Sequence, residues 1–257
     1  MPAPQQAMLM ISGIGGGGAS EPDPTSITGA TLWIDGTSSS LPGLGDGGAV
    51  GSTTNWIDRI SGTRNFAQAT AANRPTLHQT GGPNSQPYVS FDSTDLLGFS
   101  NSANQIFSGS AYTLFVVIRP QRNGVSGGPS GTPAIFDSGG GQWGAVLGSS
   151  GGNRLTIFQR SGGSTSFLNS TTVYSQNVWY IMEAWWDGST VSLKVNNDTP
   201  VTMSKGGFST AFTPALGNFS LTSDIAALYL WGATDIGSTS RDSFRTSLAA
   251  WFGISIP

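Results

Sequence analysis

The chain has 257 residues with 37 glycines, 14 prolines and no cysteine, and only 10% of it is charged, against the ~25% usual for soluble domains. Two Lys, two Glu and abundant Gly, Ser and Thr exclude an all-helical protein, and the lack of cysteine excludes a disulfide-stapled scaffold or a Cys-ligated zinc site. A net charge of −3, with nine scattered Arg, argues against electrostatic wrapping of nucleic acid.

Residues 1–27 read as a separate arm. Met8, Leu9, Met10 and Ile11, with Ile14, form an apolar tag, Gly15 to Gly18 a swivel, and Glu21-Pro22-Asp23-Pro24 a stiffer extended spacer. No positive charge precedes the apolar stretch, so it does not read as a signal peptide. No apolar run approaches the ~20 residues of a membrane span. Residues 28–257 then alternate short apolar runs with turn clusters, the pattern of a sandwich or barrel. Strands are expected over Thr31–Asp35, Pro87–Phe91, Thr113–Ile118, Leu155–Gln159, Trp179–Trp186, Val191–Val195 and Ile225–Trp231. Asp187-Gly188 joins two of these as a hairpin turn. Near the end, Thr239 and Asp242 fit a capping box, and Phe244, Leu248, Trp251 and Phe252 make one apolar helical stripe. Arg241 and Arg245 lie off the stripe's centre, and Gly253 is placed as the helix stop.

The order of these motifs resembles the concanavalin A-like, laminin-G-like jelly-roll domains of bacterial surface proteins and tailed-phage particles. The residues that carry the resemblance are Leu32-Trp33-Ile34-Asp35, Trp56-Ile57-Asp58, Ala67-Gln68-Ala69 with Arg74-Pro75, Pro87–Asp92, Tyr112–Pro120, the hairpin Trp179–Asn196 and the closing block Ile225–Ile254. The resemblance covers about residues 28–256 and implies an all-β, two-sheet jelly-roll sandwich with an extended N-terminal arm and a short C-terminal helix. Asn196-Asn197-Asp198 departs from the Asn-Gly turn of many relatives.

This fold also houses glycoside hydrolases, which place two or three carboxylates on one strand face. Here Glu183 is the only strand glutamate, with Ile181 and Trp185 as same-face neighbours. Asp187 lies roughly 13 Å away along an extended strand, beyond either glycosidase spacing. Glu183 therefore reads as a paired sheet residue, and the chain as no enzyme. The G-x-S-x-G matches at Gly124 and Gly148 lack the strand–elbow–helix context, and the single histidine, His78, reads as a loop residue.

Calcium is the one cofactor to weigh. Asp92 and Asp95 flank a Ser-Thr loop, and Asp35 or Asp137 could contribute oxygen ligands. Exposed indole faces stack on sugars, which makes Trp143, in a glycine-rich stretch, and Trp56 the candidate sugar platforms. The expected function is a non-enzymatic virion structural protein: a capsid decoration, head-fibre or tail-associated subunit on the particle surface. The arm would dock it onto other virion proteins, and homo-oligomers are expected. The alternative is a carbohydrate-binding adhesin module on a phage or bacterial surface, meeting surface glycans.

Overall fold

The computed structural model describes residues 19–51, 54–100, 106–107, 110–124, 133–137, 143–147, 152–161, 163–207, 214–217 and 221–256. The expected anchor residues Met8, Leu9, Met10, Ile11 and Ile14 lie outside these. Two antiparallel sheets stack face to face, with one helix on the outer side. The first sheet contains β1 (Leu32–Asp35), β4 (Thr76–His78), β5 (Tyr88–Phe91), β7 (Tyr112–Pro120), β12 (Tyr180–Trp186), β13 (Thr190–Val195), β14 (Val201–Ser204) and β16 (Ser223–Trp231). Its order is β14-β13-β12-β7-β16-β5-β4, with β1 also on β16.

The second sheet contains β2 (Trp56–Ile57), β3 (Asn65–Ala67), β6 (Leu97–Phe99), β8 (Ala134–Asp137), β9 (Trp143–Leu147), β10 (Arg154–Ser161), β11 (Ser164–Val173) and β15 (Ala215–Leu216). Its order is β11-β10-β9-β8-β15-β6-β3-β2. The fold class expected from the sequence is the one observed. The long apolar runs became the central strands β7, β12 and β16, covered on both faces. Most of the second sheet went unforeseen: six of its strands have two to five residues, too few to show a period, and the ten-residue β11 is mostly polar.

Between the sheets lies one core, anchored by Trp56, Trp143, Trp186, Tyr112, Phe91 and Phe136. Strands β1 and β5 share one edge of β16: β1 pairs with Ala227–Leu230 and β5 with Ser223–Ile225. At the hand-over, the Gly36 N–H donates to the Ala226 carbonyl at 3.1 Å. A side-chain carbon on Gly36 would fall 2.6 Å from the Pro87 carbonyl carbon, so only glycine lets the two strands meet end to end. On the outer edge of β4, residues 47–50 lie alongside. Gly47 N–H donates to the Leu77 carbonyl (2.8 Å), Leu77 N–H to Gly48 (2.9 Å) and Val50 N–H to Pro75 (2.8 Å).

Helix α1 (Ser238–Phe252) covers the outer face of the first sheet. Phe244 packs edge-on among Phe115, Tyr229 and Trp231, with ring centroids 5.1–5.2 Å apart. Leu248 and Phe252 continue the stripe as expected, and Gly253 ends the helix in the left-handed conformation at φ 61°. One expectation is corrected. The N-cap is Gly237, not Thr239, and no side chain caps it. Asp235 sets the start instead, accepting from the Gly237 N–H at 3.1 Å, while Asp242 is engaged by Arg245 at 2.5 Å. Arg241 and Arg245, off the stripe's centre, are buried as well (8% and 4% exposed), with Glu183 beneath them.

The spacer is also not free. Pro22 and Pro24 are buried, Asp23 caps a short 3-10 turn over Pro24–Ser26, and Arg59 grips Glu21. The same guanidinium reaches Asp35 at 2.5 Å and lies 3.5 Å over the Trp33 ring. Trp231 Nε1 donates to the Ile27 carbonyl at 3.2 Å. Residues 19–27 thus form part of the body's wall, and the boundary expected at residue 28 moves back at least to residue 19.

Candidate functional site

Alternation along β12 puts Ile181, Glu183 and Trp185 on the outer face of the first sheet. Glu183, 1% exposed, accepts from Arg245 Nη1 at 2.5 Å and lies 3.2 Å from Arg241 Nε. Arg241 also rests 4.1 Å over the Trp185 ring and pairs with Asp235. Burial pushes the Glu183 pKa above the ordinary glutamate value, against the lowering pull of the two arginines. The pairing expected for Glu183 is observed, with both partners supplied by the helix. The arrangement locks helix to sheet and leaves the carboxylate no open approach.

Both expected sugar platforms are corrected. Trp143 is wholly buried: it opens β9, faces inward, and meets Phe107, Tyr112 and Phe136 with centroids 5.0–5.6 Å away. Trp56 is equally buried, and its Nε1 donates to the Asp35 carbonyl at 2.6 Å. Neither indole can stack on a ligand. Asp92 and Asp95 shape a turn: Asp95 accepts from the Asp92 N–H at 2.7 Å, and Asp92 from the Thr94 N–H and hydroxyl at 2.8 Å. Burial raises the Asp95 pKa, which disfavours the charged form a cation would need. Asp35 is engaged by Arg59 and Thr37, and Asp137 sits in β8 of the other sheet. Among the described residues no three His, Cys, Asp or Glu gather as a metal site. His78 belongs to β4, not a loop, and stacks on Tyr88 at 4.8 Å.

Beyond the end of the helix the same outer face carries a half-exposed array. The Arg119 guanidinium lies between the Tyr88 and Trp179 rings, 5.0 and 4.9 Å from their centroids. Its Nε donates to buried Asp224 at 2.6 Å, and Gln121 Nε2 donates to the same oxygen at 2.6 Å. Trp179 meets Tyr88 edge-on at 5.7 Å. Beside Trp179 opens a cleft of about 320 Å³, floored by Val178, Trp179, Phe252 and Ile254 and flanked by Asn84 and Asn196. Val178 is 45% exposed, and Val173 is the other large apolar side chain so open among the described residues. Trp179 belongs to the apolar run WYIMEAWW, which suggests a strand covered on both faces. Its place one residue before β12, after the polar run Ser175-Gln176-Asn177, was the available signal.

Two antiparallel sheets, a single C-terminal helix and a covered outer face define the molecule as a jelly-roll-like β-sandwich. A scan against protein-family models finds no match, and a search of curated proteins finds none. Among solved structures, the binding domain of Paraclostridial Mosquitocidal Protein 1 is similar with a TM-score of 0.63 and 12% identity, over 86% of this chain and 52% of that one. The binding domain of Botulinum neurotoxin serotype D is similar with a TM-score of 0.50 and 11% identity, over 88% of this chain and 51% of that one. The chain spans about half the length of either. At such identities the likeness is one of fold.

Proposed function

We propose that the chain is a non-enzymatic structural module of a tailed-phage particle, a capsid decoration, head-fibre or tail-associated subunit displayed on the particle surface. Residues 1–18, with the apolar tag Met8–Ile11, dock it onto other virion proteins, and copies associate as homo-oligomers. The observation that carries the non-enzymatic part is Glu183, whose carboxylate is occupied by two arginines beneath a helix. The particle assignment draws on the resemblance of the motif order. The similar toxin chains are described as binding domains, which suits a body that binds rather than cleaves.

The test expresses the tagged chain during particle production and separates particles on a gradient. The full chain is expected in the particle band, and a chain lacking residues 1–18 in the soluble pool. Equal banding of both, or a full chain that stays soluble, overturns the anchoring role. Polysaccharide cleavage lost in Glu183→Gln overturns the non-enzymatic reading. A second reading, a surface adhesin for carbohydrate, is favoured by one observation, the open cleft beside Trp179.

A further inference from the structure

We propose that the cleft beside Trp179 is a saccharide site selective for uncharged sugar units, an inference that rests on the adhesin reading. Its lining contains no charged side chain, and Arg119, which rests on Trp179, is already paired with Asp224, so an acidic sugar finds no unpaired cation there and gives up its hydration. At about 320 Å³ it lies at the small end of the ~300–1,000 Å³ usual for ligand clefts.

The chemistry of the walls specifies the ligand further. A sugar ring presents C–H groups on one face and, around its rim, hydroxyls that both donate and accept. Trp179 supplies an apolar ring for the first, and the two asparagines supply both hydrogen-bonding senses for the second. Asn84 Nδ2 donates to the Trp251 carbonyl at 2.9 Å, which leaves its Oδ1 as an acceptor. Asn196 Oδ1 accepts from the Ile181 N–H at 2.9 Å, which leaves its Nδ2 as a donor. The backbone partners fix which way each amide points, since a carbonyl demands N–H and an N–H demands oxygen. An apolar partner would leave both free ends dehydrated and unpaired.

The site is also set before a ligand arrives. Asn84 and Asn196 both hold left-handed backbone, at φ 52° and 51°, a conformation asparagine tolerates better than most residues. Arg119, tied to Asp224, and edge-on Tyr88 hold the Trp179 ring. Binding therefore orders few side chains, which favours affinity.

The experiment presents the full chain with neutral oligosaccharides ending in hexose, N-acetylhexosamine or deoxyhexose, and with uronic and sialic acid counterparts. Saturation-transfer NMR reads binding, and calorimetry titrates the sugars that bind. Neutral sugars are expected to bind, with transfer strongest to the C–H groups of one ring face. Trp179→Ala is expected to weaken binding about tenfold, and Trp179→Phe to retain part of it. Asn196→Gly keeps the backbone conformation while removing the amide, and is expected to weaken binding without unfolding the chain. Neutral-sugar binding untouched by Trp179→Ala and Asn196→Gly overturns this site and leaves the adhesin reading standing. Preference for acidic sugars overturns the selectivity. If no sugar binds, the site and the adhesin reading both fall, whereas particle attachment is decided separately by the gradient experiment.

Discussion

The outer face of the first sheet carries arginines in two settings. Under the helix, Arg241 and Arg245 are shut away and neutralised by Glu183, Asp235 and Asp242. Beyond the helix end, Arg119 has one carboxylate, Asp224, and two aromatic rings instead. One face thus handles positive charge in two ways. Where a cover excludes water, each cation needs full carboxylate compensation. Where water reaches the site, one carboxylate shared with two ring faces holds the cation.

The comparison is broken most directly at Glu183. Glu183→Ala leaves two buried guanidiniums short of a partner and is expected to cost about 3–5 kcal/mol in denaturant unfolding. If the cost stays near that of a surface substitution, the helix is not held by this pair. Arg119→Ala removes a half-exposed cation but leaves the fully buried Asp224 with Gln121 alone. A smaller loss of about 2 kcal/mol is expected by the same measurement.

Arg59→Ala tests a fourth arginine, the one that holds Glu21 to the body. The expected result is faster proteolytic cleavage within residues 19–27, with global stability falling by about 1–2 kcal/mol. Unchanged cleavage would show that Pro22 and Pro24 hold this segment unaided.

The smallest expected effect is on pH dependence. The Thr190 and Ser189 N–H groups lower the Asp187 pKa, and Arg245 lowers that of Asp242. These carboxylates therefore stabilise the fold above their ordinary range, and that share is lost as pH falls through their lowered values. Both are solvent-screened, so the change is slight. Glu183 works in the opposite sense. Its raised pKa favours folding at acid pH, and that share is lost as pH rises through the raised value. Melting curves of Glu183→Gln should therefore lose stability more steeply on acidification than the wild type. An unchanged slope would remove the contrast.

Much of this frame was legible in the sequence, and its failures share a cause. Runs such as TLFVVI and WYIMEAWW announce central strands because a strand covered on both faces needs apolar residues throughout. Asp187-Gly188 and Gly253 are local signals of backbone geometry, and both hold. Exposure is not a local property. Trp143 follows three glycines and suggests an open loop, yet non-local pairing turns it inward. Trp179 sits among apolar residues and suggests a core, yet the chain places it at a rim. The helical stripe alone likewise does not show that Glu183, 62 residues before Arg245, waits beneath the helix.

The strip formed by residues 47–50 along β4 has a consequence for molecules displayed at high density. An uncovered sheet edge would offer its amides and carbonyls to the next copy and invite growth into fibres. Here that flank of β4 is already bonded within the chain, so the amide and carbonyl of Leu77 and the carbonyl of Pro75 are not on offer to the next copy.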